Sequence, residues 1–192
     1  VYGQSLNYPS GENFNSDNPL SFYAATKKSN EVMAYTYSNV FKLPCTGLRF
    51  FTVYGPYGRP DMALFKFTKN ILENKKIELF NNGNHTRDFT YIDDVIDGIF
   101  SLIKKPNKNQ IPFNIFNIGN GNSKKLKVYI KLIEKNLNLK AKVKKLPLQL
   151  ADIKKTHSDI SSLNLYTGYA PKVSIDVGVK RFIDWYKEYY KY

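Results

Sequence analysis

Thr46-Gly47-Leu48-Arg49-Phe50-Phe51-Thr52-Val53, followed by Tyr54-Gly55-Pro56-Tyr57-Gly58-Arg59-Pro60, decides the fold. The first run is apolar and β-branched without clean polar alternation, which predicts a short strand buried on both faces, as in a parallel sheet. The glycines and prolines after it predict a loop at the strand's carboxyl end, where open parallel sheets bind ligands. Upstream, Asp17-Asn18-Pro19 reads as a helix-start signal, and a long helix is expected from about Leu20 to Phe41, stopped by Leu43-Pro44. Downstream, Met62 to Asn74 has helical periodicity, Ile77 to Phe80 is a brief strand, Asn81 to Asn84 is a turn, and Phe89 to Tyr91 is extended. Asp93 is expected to cap a helix to about Lys104, followed by a strand at Phe113 to Ile118 and a Lys-rich helix at Ser123 to Leu137. A strand near Ala141 to Leu146, a helix near Ser158 to Asn164 and a terminal helix from about Ile175 to Tyr190 complete the order. Strands separated by helices favour an α/β class over a sandwich or a bundle.

The 192 residues are 42% hydrophobic and 15% aromatic, enough for one sizeable core and a small second lobe, which excludes disordered, collagenous and disulfide-scaffold classes. The lone Cys45 cannot close an intramolecular disulfide, and no run reaches the roughly 18 apolar residues of a membrane span. A soluble, cytoplasmic protein is expected. The chain opens on Val1-Tyr2-Gly3 without an initiator methionine, which suggests a fragment. A formal charge of +13 invites a nucleic-acid partner, but it comes from 25 Lys against 4 Arg, scattered beside 20 Asn, with no RNA-binding or helix-turn-helix signature. A solvated basic surface explains it better, and neither nucleic acid nor membrane is expected as a partner. The few arginines become informative, because only a guanidinium offers a planar, bidentate fork to phosphate or carboxylate.

Tyr23-Ala24-Ala25-Thr26-Lys27 places a phenol and an ammonium four residues apart, on one helix face. A tyrosine ionises near pH 10, so a working base near neutrality needs its phenolate stabilised by about 4 kcal/mol, at roughly 1.36 kcal/mol per unit. A fixed neighbouring cation supplies part of that. A packed ring beside a snorkelling lysine would show the same spacing. His85 and His157 are too few and too isolated for a metal site.

Four motifs in order narrow the reading: Val1-Tyr2-Gly3, Tyr23 to Lys27, Arg49-Phe50-Phe51-Thr52-Val53-Tyr54-Gly55-Pro56, and Arg87-Asp88-Phe89-Thr90-Tyr91-Ile92-Asp93-Asp94-Val95. Together they resemble the extended short-chain dehydrogenase/reductases that act on nucleotide sugars. Gly47 to Lys69, with Arg59-Pro60-Asp61-Met62-Ala63-Leu64-Phe65-Lys66-Phe67, looks most like the bacterial UDP-glucuronate 4-epimerases of capsule and surface-polysaccharide pathways. The resemblance covers the whole chain and implies the carboxyl-terminal part of a Rossmann-type fold with a small mixed α/β substrate lobe. Residues 1–60 would end the Rossmann domain, and 61–192 would form mainly the UDP-sugar lobe, with about 89–118 returning to the Rossmann domain. The family's glycine-rich dinucleotide loop and catalytic Ser/Thr would precede Val1.

What the resemblance implies can be given residue by residue. Tyr23 matches the base that takes the sugar 4-hydroxyl proton while NAD accepts hydride from C4; Lys27 matches the residue that lowers the tyrosine pKa and holds the nicotinamide ribose. Thr52 stands where relatives acting on uncharged hexoses carry Asn, and looks like the version that contacts a sugar carboxylate. Arg87 matches the diphosphate-binding arginine, Arg59 a substrate-side contact, Asp61 and Met62 positions near the nucleotide, and Phe80 a surface for uracil. Gln149 and Asp152 match the segment that closes over the uridine ribose, although Leu150-Ala151 replaces the family's Pro-Gly there. Arg49 reads as a structural ion-pair or capping residue. A homodimer through the helix 20–41, with Met33 and Tyr37 in the seam, is the implied partner.

The activity so implied is UDP-glucuronate 4-epimerisation with NAD. The alternatives within the class are a UDP-glucose/UDP-galactose 4-epimerase and a nucleotide-sugar dehydratase or decarboxylase. From another class, the chain is a catalytically silent, truncated UDP-sugar-binding module. On any of these readings the chain alone is expected not to complete an epimerase cycle.

Overall fold

A computed structural model describes residues 1–3, 7–149 and 152–192. In chain order the elements are α1 (Phe22–Phe41), β1 (Cys45–Phe50), β2 (Thr52–Tyr54), α2 (Ala63–Leu72), β3 (Lys76–Phe80), a 3-10 turn (Asn81–Gly83), β4 (Thr86–Arg87), β5 (Phe89–Tyr91), α3 (Ile92–Ile103), β6 (Phe113–Ile118), β7 (Lys124–Lys125), α4 (Leu126–Leu137), β8 (Lys142–Leu146), α5 (Ser161–Thr167) and α6 (Ile175–Tyr190). Strands and helices alternate, and three of the strand pairs, β1 with β6, β2 with β5 and β3 with β8, run parallel. This is the α/β class expected.

The deciding stretch is not one strand. β1 pairs with β6 as far as Phe50, Phe51 N–H still donates to Ile118 O, and Thr52 N–H then donates to Asp88 O, so the chain leaves β6 and joins β5 within two residues. Nor is it buried on both faces: Phe50 is half exposed, because among the described residues β1 has one strand neighbour. A crevice opens where a sheet's pairing switches, and here it opens at Thr52.

Other boundaries also moved. Helix α1 is capped by Ser21, whose hydroxyl accepts from Ala24 N–H, rather than by the Asp17-Asn18-Pro19 signal, and Lys42 in the left-handed region ends it. Asp93 does not cap α3. It lies in the first turn after Tyr91, and the neighbouring Asp94 is buried, accepting from Lys172 and Val173 N–H. Residues 124–125 form β7 before α4 begins at Leu126, and α5 starts at Ser161 because Ser158 is drawn inward by Asp88.

Two apolar clusters hold the fold. The larger joins α2, β3, α4 and α6 with Tyr54, Phe89 and Tyr91 from the β2–β5 pair. Phe89 stacks on Tyr129 at 4.0 Å, and Tyr54 meets both rings edge-on. Fully burying a side chain such as Phe182 contributes about 1.5–3 kcal/mol. The smaller cluster packs α3 and α5 on β6 through Val95, Leu102, Phe116, Ile118 and Leu163. Helix α1 contributes almost nothing to either, since its one buried residue is Ser38.

Candidate active site

The Ser21 cap fixes the first turn of α1, and helical geometry then sets Tyr23 and Lys27 on one wall of a cleft of about 730 Å³. Thr52 and Met62 line the same cleft, together with Val1, Tyr2 and Gly3. The Lys27 ammonium lies 5.3 Å from the Tyr23 ring centroid, and the Tyr23 side chain stands out from the helix with 69% exposure. Among the described residues neither the Tyr23 hydroxyl nor the Lys27 ammonium has a hydrogen-bond or ion-pair partner.

One turn beyond Lys27, Glu31 anchors the helix to the sheet. Arg49 of β1 grips its carboxylate bidentately, Nε to Oε1 at 2.7 Å and Nη2 to Oε2 at 2.8 Å, and also donates to Glu12 O. The Tyr2 ring lies 4.8 Å from the same guanidinium, and the Tyr2 hydroxyl donates to Asn117. Burial opposes the charge on Arg49, but Glu31 and Tyr2 outweigh it and hold the guanidinium protonated. The structural role expected of Arg49 is what the fold shows.

A second cluster forms where β4 meets the segment between β8 and α5. His85 and Arg87 are two residues apart in extended chain and so face the same way. Both reach Asp152: Arg87 Nη2 to Oδ1 at 3.0 Å, and His85 Nε2 to Oδ2 at 3.0 Å, an ion-pair contact without hydrogen-bond alignment. Burial lowers the proton affinity of the Arg87 guanidinium, with Asp152 opposing. Burial and then the Arg87 charge lower that of the His85 imidazole, again with Asp152 opposing. The segment just after Asp152 is held by Thr86, which donates to Lys154 O and accepts from Thr156 N–H, while Asp152 N–H donates to Gln149 O.

The remaining sequence-predicted residues fall outside these two groups. Arg59 and Asp61 pair with one another on the surface, Nε to Oδ1 at 3.0 Å, and the bond draws the Asp61 carboxyl below the usual range. Arg59 is near enough to Tyr23 to feel its oxygen electrostatically. Phe80 ends β3, half-buried opposite Leu146, and Gln149 is exposed; neither lines the cleft. The Leu150-Ala151 replacement lies outside the described residues.

Sequence reasoning passed over two groups. His85 was weighed as a metal ligand, while its strand spacing from Arg87 was the signal of a shared face. Tyr8 lines the cleft, donates to Lys155 O and carries the Lys155 ammonium 4.4 Å from its ring centroid, a pairing no local pattern announces. Among the described residues no cluster of His, Cys, Asp or Glu is arranged to hold a metal ion, and no helix is long and apolar enough to cross a membrane.

Comparison with known proteins adds to this geometry. The chain is 52% identical over 98% of its length to an uncharacterised protein of Methanocaldococcus jannaschii, of which it covers 56%. It is 39% identical to a probable UDP-glucuronate 4-epimerase of Rhizobium meliloti, over the whole chain and 60% of that protein. The fold superposes, with a TM-score of 0.91 and 36% identity, on UDP-glucuronic acid 4-epimerase from Bacillus cereus in complex with UDP-glucuronic acid and NAD, covering 99% of this chain and 59% of that one. The chain thus spans between half and two thirds of each of these proteins. Its architecture is Rossmann-type, of the extended short-chain dehydrogenase/reductase kind. With residues 1–119 matching the family's pattern, the chain belongs to the NAD dependent epimerase/dehydratase family.

Proposed function

We propose that the chain supplies the catalytic helix and the substrate lobe of an NAD-dependent UDP-sugar 4-epimerase that interconverts UDP-glucuronate and UDP-galacturonate. The observation that carries this reading is that, among the described residues, the Tyr23 phenol and Lys27 ammonium stand without polar partners on one wall of a cleft, at the point where the strand pairing switches. The same pair fits the nicotinamide-ribose end of the cofactor: a free ammonium and a free hydroxyl are the donors a ribose diol requires. NAD, when bound, supplies reversible hydride acceptance at the sugar C4.

The chain's own residues then do the following. Tyr23 takes the proton from the sugar 4-hydroxyl and returns it after the 4-keto sugar has turned over. Lys27 favours the oxyanion that this transfer leaves and holds the ribose. Thr52 offers its hydroxyl to the sugar carboxylate, and Arg59 approaches from the substrate side, with Asp61 and Met62 near the nucleotide. Arg87 forks the diphosphate, Phe80 covers the uracil, and Gln149 and Asp152 meet the uridine ribose. Residues 1–60 end the dinucleotide-binding domain, 61–192 form the substrate lobe, and about 89–118 return to the first domain. The smaller cluster, which packs Val95, Leu102, Phe116 and Ile118 against Leu48 and Val53, supports that return. A homodimer through the helix 20–41 is supported by the exposure of Met33 and Tyr37. The enzyme acts in the cytoplasm, in polysaccharide biosynthesis.

The test is product analysis. With UDP-glucuronate and NAD, the full-length protein that carries this chain should form UDP-galacturonate faster than it forms UDP-galactose from UDP-glucose; the reverse preference overturns the choice of substrate, and no product from either overturns the epimerase. The 192 residues alone should bind UDP-sugar without turnover, so turnover by them would refute the view that this chain is only part of the catalyst.

A further inference from the structure

The Arg87–Asp152 pair has a third member that nucleotide recognition does not require. His85 is buried at 4% exposure, and its Nε2 lies 3.0 Å from the Asp152 oxygen that Arg87 leaves free, an ion-pair contact. Asp152 itself lies in the segment between β8 and α5, where no regular element fixes its side chain. Its carboxylate is therefore placed by two side chains, the cationic Arg87 of β4 and the titratable His85 just before that strand.

The charges around His85 are almost all of one sign. Arg87 lies two residues along the chain, in β4. Lys125 and Lys124 lie opposite on β7, Lys127 bonds Asn84 from α4, and Lys154 and Lys155 flank the return segment. Among the described residues Asp152 is the one carboxylate that pairs with it. Tyr8, beside Arg87, is pushed up by burial and is neutral at any moderate pH. In this setting burial and the Arg87 charge lower the proton affinity of the imidazole, with Asp152 opposing. A diphosphate on Arg87 would bring negative charge to the cluster and would compete with Asp152 for the guanidinium, and both changes favour imidazolium.

We propose that His85 is a positioning residue for the nucleotide subsite: it keeps the Asp152 carboxylate in place and takes up a proton from solvent when a nucleotide diphosphate engages Arg87. This rests on the assignment of Arg87 and Asp152 to the nucleotide in the preceding reading. Binding of the diphosphate diester is then linked to one proton and tightens as pH falls.

Two measurements on the 192-residue chain decide it. Calorimetry with UDP-glucuronate, whose diester and carboxylate do not titrate in the range, is run between pH 8 and 5.5 on wild type and His85→Gln. Wild-type affinity should rise on acidification, by up to about tenfold per pH unit at the steepest point, and the variant should be flat. NMR titration of the imidazoles follows, with the only other histidine, His157, as internal control. Asp152→Asn should lower the His85 midpoint and leave that of His157 unmoved. If His85→Gln keeps the wild-type pH profile, or Asp152→Asn leaves the His85 midpoint in place, the role of His85 is overturned while nucleotide binding stands. If neither protein binds UDP-glucuronate at any pH, the nucleotide assignment falls and the linkage with it.

Discussion

The wall of the cleft and the β4 arm are built on opposite terms. Among the described residues Tyr23 and Lys27 carry their polar atoms to the cleft without partners, whereas Arg87 and His85 both reach Asp152 in a largely buried cluster, Arg87 by a hydrogen bond and His85 by an ion-pair contact alone. The first pair is held by backbone alone, a capped helix anchored through Glu31 and Arg49, and whatever it binds gains new bonds outright. At the arm a ligand must exchange with bonds already made, so the net gain is smaller and the response to charge larger. Chemistry should therefore depend steeply on the first region, and affinity and pH response on the second.

The sharpest way to break that contrast is Tyr23→Phe in the proposed epimerase. Removing the phenolic oxygen should reduce kcat by about a thousandfold, the range of a lost general acid–base group, while UDP-glucuronate affinity changes less than about threefold. Steady-state assays beside calorimetry measure both. A fall in kcat of less than tenfold would remove the phenol from the chemistry.

Next in size is a scaffold effect that joins the two regions. The Asp88 carboxylate is fully buried and accepts from Asn120 and Gly121 N–H and from both Ser158 N–H and Ser158 Oγ, tying β5 to the segment that carries Asp152. Asp88→Ala leaves those donors unpaired and should cost about 3 kcal/mol in urea denaturation. Ser158→Ala, which removes one of the donors, should cost about 1 kcal/mol. Equal losses from both would mean that the network does not converge on Asp88.

Arg87→Lys tests the arm directly. A lysine keeps the charge and loses the fork, so UDP-glucuronate should bind about tenfold more weakly, with kcat at saturation within about threefold of wild type. A kcat loss larger than the affinity loss would place Arg87 with the cleft chemistry.

The legibility of the molecule follows the same division between local and distant causes. The strand at Phe113–Ile118 and the helix at Ile175–Tyr190 were readable to the residue, because a short apolar run and a Ser174 cap are written in adjacent positions. Tyr23 and Lys27 share a wall for an equally local reason, the pitch of one helix. The split at Phe51 was not readable, since it is set by which strand lies alongside and not by the run itself. Ser158 looked like a helix start and became a ligand of Asp88, and Asp94 rather than Asp93 turned inward to Lys172 and Val173; both depend on chain far away in sequence. His85 is the instructive case. Its spacing from Arg87 was visible, but the carboxylate that gives the pair a meaning comes from a segment with no regular structure to announce it.

The smallest effect sharpens the comparison in the absence of any ligand. Burial, and then the Arg87 charge, hold the folded-state proton affinity of His85 below the ordinary histidine value of 6.5. As pH falls past that value the unfolded chain takes up the proton before the folded chain does, so stability is full above 6.5 and declines between 6.5 and the lower folded-state value. One proton limits the slope to about 1.4 kcal/mol per pH unit. His85→Gln should flatten the urea midpoint between pH 7 and 5, whereas Tyr23→Phe, which alters a group exposed on the cleft wall, should leave the wild-type slope in place. If His85→Gln keeps that slope, acid sensitivity arises elsewhere in the fold and the β4 arm is no more tuned to protons than the cleft.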